Sequence, residues 1–208
     1  PALVAETNVQ VGSLDEPDLV KTDGRHFYYA TGTRPSGPRP LSVGGDAVVP
    51  GPDSPERDTH VVDASEPGSP AAVADVAATG RLLQTGDTLV VLGGDRVAGY
   101  DVSDPGAPTE AWSTPLNGTL VTARETDGTL SLVVETGAGP GIPCPIEPLG
   151  GTHTVACGDV HRPETQVPVD ATYTAYSVDA GTGEVRDAAS FVGTTRNSVV
   201  YASPQALY

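Results

Sequence analysis

Arg81-Leu-Leu-Gln84, Thr88-Leu-Val-Val-Leu92, Arg96-Val-Ala-Gly-Tyr100 and Thr109-Glu-Ala-Trp112 follow one another with only short breaks. Each is a brief run of β-branched, aliphatic or aromatic residues, the composition of a strand. Gly86-Asp87, Gly94-Asp95 and Ser103-Asp-Pro-Gly106 separate them, and these residue types either reach a positive φ or preset a turn. The pattern predicts four antiparallel strands in a meander. Working outward, a looser copy precedes it in Asp18-Leu-Val-Lys21, Arg25-His-Phe-Tyr-Tyr29, Thr59-His-Val-Val-Asp63 and Ala71-Ala-Val-Ala-Asp75. Asp63-Ala-Ser-Glu-Pro67 repeats as Asp101-Val-Ser-Asp-Pro105. A third copy runs through Leu120-Val-Thr-Ala123, Leu130-Ser-Leu-Val-Val134, Tyr173-Thr-Ala-Tyr176 and Glu184-Val-Arg-Asp187. Asn197-Ser-Val-Val-Tyr201 begins another.

Four antiparallel strands recurring about every 40 residues is the period of a β-propeller. A β-sandwich would share the short strands but not the recurring third-strand Asp followed by a small-polar-Pro turn. No stretch of twelve residues keeps a helical apolar face free of Gly or Pro. The expected fold is therefore all-β: about three four-stranded blades (18–80, 81–116, 119–192) and the start of a fourth at 197–208, part of a longer closed ring. Thr7-Asn-Val-Gln-Val11 is a further strand that could pair with the last blade. Residues 33–58 and 137–171 are Gly- and Pro-rich insertions between second and third strands. Both should decorate one face of the disc, where binding groups concentrate. The bland reading is that they are tolerated insertions.

Composition bounds the surroundings. The chain has 208 residues, 27 acidic and 11 basic, for a net charge of -16. Phosphate binding needs a positive surface, so a basic nucleic-acid binder is excluded. No run of about twenty apolar residues is present to span a membrane as a helix. Lys21 is the sole lysine, and the other basic residues are arginines. Such a surface suits concentrated salt, where repulsion is screened beyond about 3 Å at 1 M. At low salt the same charge should loosen the fold by self-repulsion. The sequence lacks methionine, starts at Pro1 and stops at Ala206-Leu-Tyr208 in a strand-like run, the expectation for a processed or partial chain.

Three separated blocks carry a family resemblance. They are Thr7–Val11 with Asp15-Glu-Pro-Asp-Leu-Val-Lys-Thr-Asp-Gly24; Cys144-Pro-Ile-Glu-Pro148 through Cys157 and His161; and Thr172-Tyr-Thr-Ala-Tyr-Ser-Val-Asp179 through Ser190-Phe-Val-Gly193 and Ser198-Val-Val-Tyr201. Together they resemble a secreted β-propeller family distantly related to WD40 repeats, of the type found in halophilic archaea. Gly12-Ser13 departs from the acidic residue expected there. The resemblance implies a secreted or surface-anchored propeller longer than this chain, and it implies no reaction.

In a secreted chain, two cysteines read as a disulfide, here Cys144 with Cys157. The alternative is zinc on Cys144, His153, Cys157 and His161, a plausible tetrahedral Cys2His2 set although looser than the usual spacing. Asp15, Glu16, Asp18 and Asp23 could offer calcium hard oxygen ligands, but they lack the EF-hand spacing and read as a solvated cluster. The metal question stays open at this stage. Asn117-Gly-Thr119 is a glycosylation sequon in a turn between blades. No nucleophile elbow, phosphate loop or HExxH motif is present. His26 and His60 fall in strands, as packed or edge residues, and Trp112 is expected to pack between blades. Paired carboxylates prove nothing in so acidic a chain.

The reading is an extracellular or cell-surface propeller without a cofactor, a structural or protein-interaction module in high salt rather than an enzyme. Its partner would be a protein or surface polymer, self-assembly included. The alternative is a secreted enzyme or ligand-binding propeller, with a central-channel site lined by residues such as Lys21, Asp23 and Arg124.

Overall fold

The computed structural model describes residues 14–31, 58–66, 68–137, 144–195, 200–203 and 206–207. Within them the chain is built from short strands, antiparallel but for one, and a single 3-10 turn, Cys157–Asp159. The first sheet is β1 (Val20–Thr22), β2 (His26–Ala30), β3 (Thr59–Asp63) and β4 (Ala71–Val76), in that order. The second is β5 (Arg81–Thr85), β6 (Thr88–Leu92), β7 (Arg96–Asp101) and β8 (Thr109–Pro115). The third contains β9 (Thr119–Thr126), β10 (Thr129–Gly137), β12 (Ala171–Asp179) and β13 (Val185–Gly193), with β11 (Val160–His161) added at its edge. A two-stranded ribbon, β14 (Ala202–Ser203) with β15 (Ala206–Leu207), follows. Val200 and Tyr201, expected in a strand, lie just before it. The proposed strand at Thr7–Val11 and nearly all of the 33–58 insertion lie outside the described residues.

The meanders stack face to face, and side-chain alternation explains how. In β6, Leu89 and Val91 point to one side and Val90 and Leu92 to the other. The first pair packs with Tyr28, Ala30, Val61 and Val76 of the first sheet. The second pair packs with Leu130, Leu132, Val134 and Tyr176 of the third. A strand buried on both faces needs a continuous apolar run, which is what Leu89–Leu92 supplies.

Trp112 fastens the second sheet to the third. Its ring covers Gly99 on the neighbouring strand, where a Cβ would come within 2.1 Å of the indole nitrogen. Gly183, at φ 72° in the β12–β13 turn, leaves the ring equivalent room on its other side. The indole N–H donates to the Ala180 carbonyl at 2.9 Å.

First strands lie together at the inner edge, with β5 beside both β1 and β9. The sheets do not close into a ring among the described residues. Residues 14–18 run as a strap across this inner edge. Asp15 exchanges two backbone hydrogen bonds with Glu125 of β9, at 2.8 and 3.1 Å. Asp18 exchanges two with Leu82 of β5, at 3.0 and 2.7 Å. The strap thereby pairs backbone groups on two strand edges that would otherwise be open.

Candidate functional site

Two clefts stand out. The inner one, about 790 Å³, lies between β5 and β9 and is roofed by Glu16 and Pro17 of the strap. The outer one, about 680 Å³, lies between the end of β8, the 144–170 insertion and β13.

Charged side chains gather beside the inner cleft because the strap carries acids and the first strands carry bases. Lys21, 6% exposed, donates to Asp15 Oδ1 at 2.5 Å and to the Glu16 carbonyl at 2.7 Å. The other Asp15 oxygen accepts from the Gln84 N–H at 3.2 Å. Arg124 faces Glu16, with Nη2 3.4 Å from Oε1. Glu125, also buried, accepts from the Gly128 N–H at 2.7 Å. Burial raises its pKa and the nearby Asp15 and Asp127 add to this, while hydrogen bonds from Gly128 and Thr85 pull the other way.

Of the three residues expected at a central site, Lys21 and Arg124 are joined through the strap. Asp23 is not part of this network. It turns toward the β1–β2 hairpin, where its carboxylate accepts from the Arg25 and His26 N–H groups at 2.7 Å each and meets His26 Nδ1 at 2.9 Å. Burial pushes its pKa up, but these hydrogen bonds and His26 hold it below the ordinary value. The acidic group Asp15, Glu16, Asp18 and Asp23 is thus divided among separate partners. His60 is bound to Asp75 across β3 and β4. Glu125 is the one member of this network that no sequence motif marks. Its signal was a carboxylate in a first strand, one position past the arginine already singled out.

The outer cleft is made by the insertion folding back. Cys144 and Cys157 are joined by a disulfide, with Cα atoms 5.4 Å apart. With the sulfurs bonded to each other, neither is a thiolate for zinc. Ile146 and Val155 pair across the loop, and β11 lies parallel to β13. Leu149, 1% exposed, is part of the core between the second and third sheets. His153 packs edge-on against Tyr176, with Nδ1 3.4 Å from the phenol oxygen. His161 lies apart from it in β11. The loop therefore presents Thr152, His153, Thr154 and Asp159 opposite Arg186 and Asp187 of β13. Asn117 is exposed in the link from β8 to β9, its N–H donating to the Pro148 carbonyl at 2.9 Å.

Side-by-side four-stranded meanders with their first strands gathered inward define a propeller-type protein. Residues 4–208 match the profile described as "Beta propeller domain", and the chain belongs to that family. It is 37% identical to an uncharacterised protein of Archaeoglobus fulgidus, over all of this chain and 32% of that relative. An uncharacterised protein of Methanocaldococcus jannaschii is 25% identical, again over the whole chain and 29% of its own length. The chain thus spans about a third of the length of these relatives. No solved structure matches it.

Proposed function

We propose that this chain is part of an extracellular or cell-surface propeller that serves as an interaction module in concentrated salt. The observation that carries the reading is the braced insertion. Ordering a loop costs roughly 1–2 kcal/mol per residue in backbone entropy. Here that cost is offset by a disulfide, a cross-loop bridge, an added strand and the burial of Leu149. The result is a fixed polar surface on a rigid rim, the kind of element to which a protein or surface polymer docks. The disulfide fits an oxidising compartment, and the charge of -16 fits high salt. Exposed Asn117 is the proposed glycan site, checked by a mass loss after enzymatic deglycosylation of the native protein.

Light scattering of the full-length native protein in concentrated salt tests the interaction reading in its self-assembly form. Complete deletion of 137–171 is the wrong probe, because Leu149 would leave a hole in the core. Thr154→Arg with Asp187→Arg alters only exposed positions. An assembly that falls to monomers while β-sheet content is unchanged supports the reading. A wild-type monomer that also retains no protein or polymer from its own cell surface counts against it.

A further inference from the structure

The inner cleft contains an arginine that is firmly placed and only partly used. Arg124 Nη1 donates to Thr122 Oγ1 at 2.8 Å and to the Ala123 carbonyl at 2.7 Å, which fixes the guanidinium plane. The opposite edge, formed by Nε and Nη2, offers two parallel N–H groups of the kind that hold a carboxylate by both oxygens. Along that edge Nη2 has Glu16 at 3.4 Å. Nε is buried and has no hydrogen-bond partner among the described residues. Charge-assisted N–H···O bonds run about 2.7–2.9 Å, so Glu16 engages half of the fork, loosely. A buried donor without a partner costs about 1–3 kcal/mol. Among the described residues the pair is incomplete.

The rest of the cleft favours an anion. Arg81 is its second cation, reaching the Pro17 carbonyl at 3.1 Å. Gly80 and Gly93 are part of its lining, and Gly80 packs so closely on the next strand that a Cβ there would fall 2.1 Å from the Leu92 carbonyl oxygen. In a chain with 11 basic and 27 acidic residues, two arginines against one glutamate in the cleft lining make a locally cationic wall. At about 790 Å³ the space is within the range of small-ligand sites.

We propose that this cleft binds a carboxylate ligand, which takes the Nε and Nη2 groups of Arg124 together and displaces Glu16. Glu16 is then a tethered competitor: it shields the guanidinium when the site is empty and yields to an acid able to use both donors. The carboxylate can belong to a free organic acid or to an acidic residue of a peptide, because the recognised chemistry is the same. The site is separate from the insertion surface and does not depend on the interaction reading.

The test is calorimetric titration of the full-length protein, in the salt that keeps it folded, with glutarate, a blocked Ala-Glu-Ala peptide and the neutral glutaramide. Saturable binding of glutarate, the peptide or both, with glutaramide at least about tenfold weaker, is expected. Glutarate alone assigns the site to free acids; binding of the peptide assigns it to protein-borne carboxylates. Glu16→Gln, at a partly exposed strap position, should tighten the acid by roughly threefold to tenfold by removing the competitor. Arg124→Gln should abolish binding, and Arg124→Lys should lose most of it, because an ammonium has no fork. Equal affinity for glutarate and glutaramide, no binding of either acid, or weaker binding in Glu16→Gln would each overturn the proposal. The Glu16 variant keeps the test decisive even where an Arg124 variant fails to fold.

Discussion

The first and second sheets have the same four-strand meander and opposite surroundings. The second lies between two cores, so β6 and β7 are buried almost throughout. Among the described residues the first has one covered face: Tyr28, Ala30 and Val61 meet the second sheet, while Phe27 and Tyr29 on the other face of β2 are 44% and 47% exposed. Strand propensity is therefore similar in the two sheets, and the depth of burial is set by neighbours. A pair of large aromatics on an open face also means that strand composition cannot by itself report which side is covered.

This contrast can be broken by substitution, measured as unfolding free energy in concentrated salt. Leu83→Ala removes a fully buried side chain from the core of the second and third sheets and should cost about 2–5 kcal/mol. A cost under about 1 kcal/mol would mean that this core collapses around the gap. Cys144→Ser should lower stability by about 3 kcal/mol, the value for a loop of this size. Reducing the native disulfide should reproduce most of that loss, and a chain indifferent to reductant would refute the bracing role.

Glu125→Gln should act in the other direction, raising stability at neutral pH. Glu125 has a raised pKa in the folded protein, so the native state binds its proton more tightly than the unfolded chain does. Its contribution is favourable at pH below the ordinary carboxylate value and is lost as pH rises through the raised folded value. The amide should therefore stabilise at neutral pH, with the gain vanishing in acid. A gain independent of pH would contradict this. Phe27→Ser should have the smallest effect, within about 0.5 kcal/mol. A loss matching that of Leu83→Ala would show that the open face of the first sheet is covered in the full-length protein.

The meander was readable because its signals are local. Leu89–Leu92 announces a strand with two apolar neighbours, and Gly86-Asp87 and Gly94-Asp95 announce its ends. The strap was not readable as structure. Asp15-Glu-Pro-Asp18 looks like a loose acidic cluster, and its pairing partners, Leu82 and Glu125, are remote in sequence. Likewise β11 is two residues long and joins β13 in parallel, too short for any periodicity to reveal. At the candidate sites, Lys21 and Arg124 could be placed at the inner edge from strand order alone. Their partners could not, since Asp15 and Glu16 reach them only through the strap. Asp23 was misplaced because a carboxylate beside Gly24 can turn back onto its own hairpin, and here it does.

The strap also sets an order of events in folding. The second meander is assembled from hairpins whose partners are close in sequence, contacts that form early and rapidly. The bridge from Asp15 to Glu125 joins positions separated by more than a hundred residues. A ribosome delivers the N-terminal end first, so residues 14–18 emerge long before β9 exists to receive them. Until then Asp15 lacks its backbone partner across the inner edge, although Asp18 can bridge to Leu82 as soon as β5 is made. The bridge that closes the inner edge therefore waits for β9, although one of its two sides is among the first parts of the described chain to be synthesised.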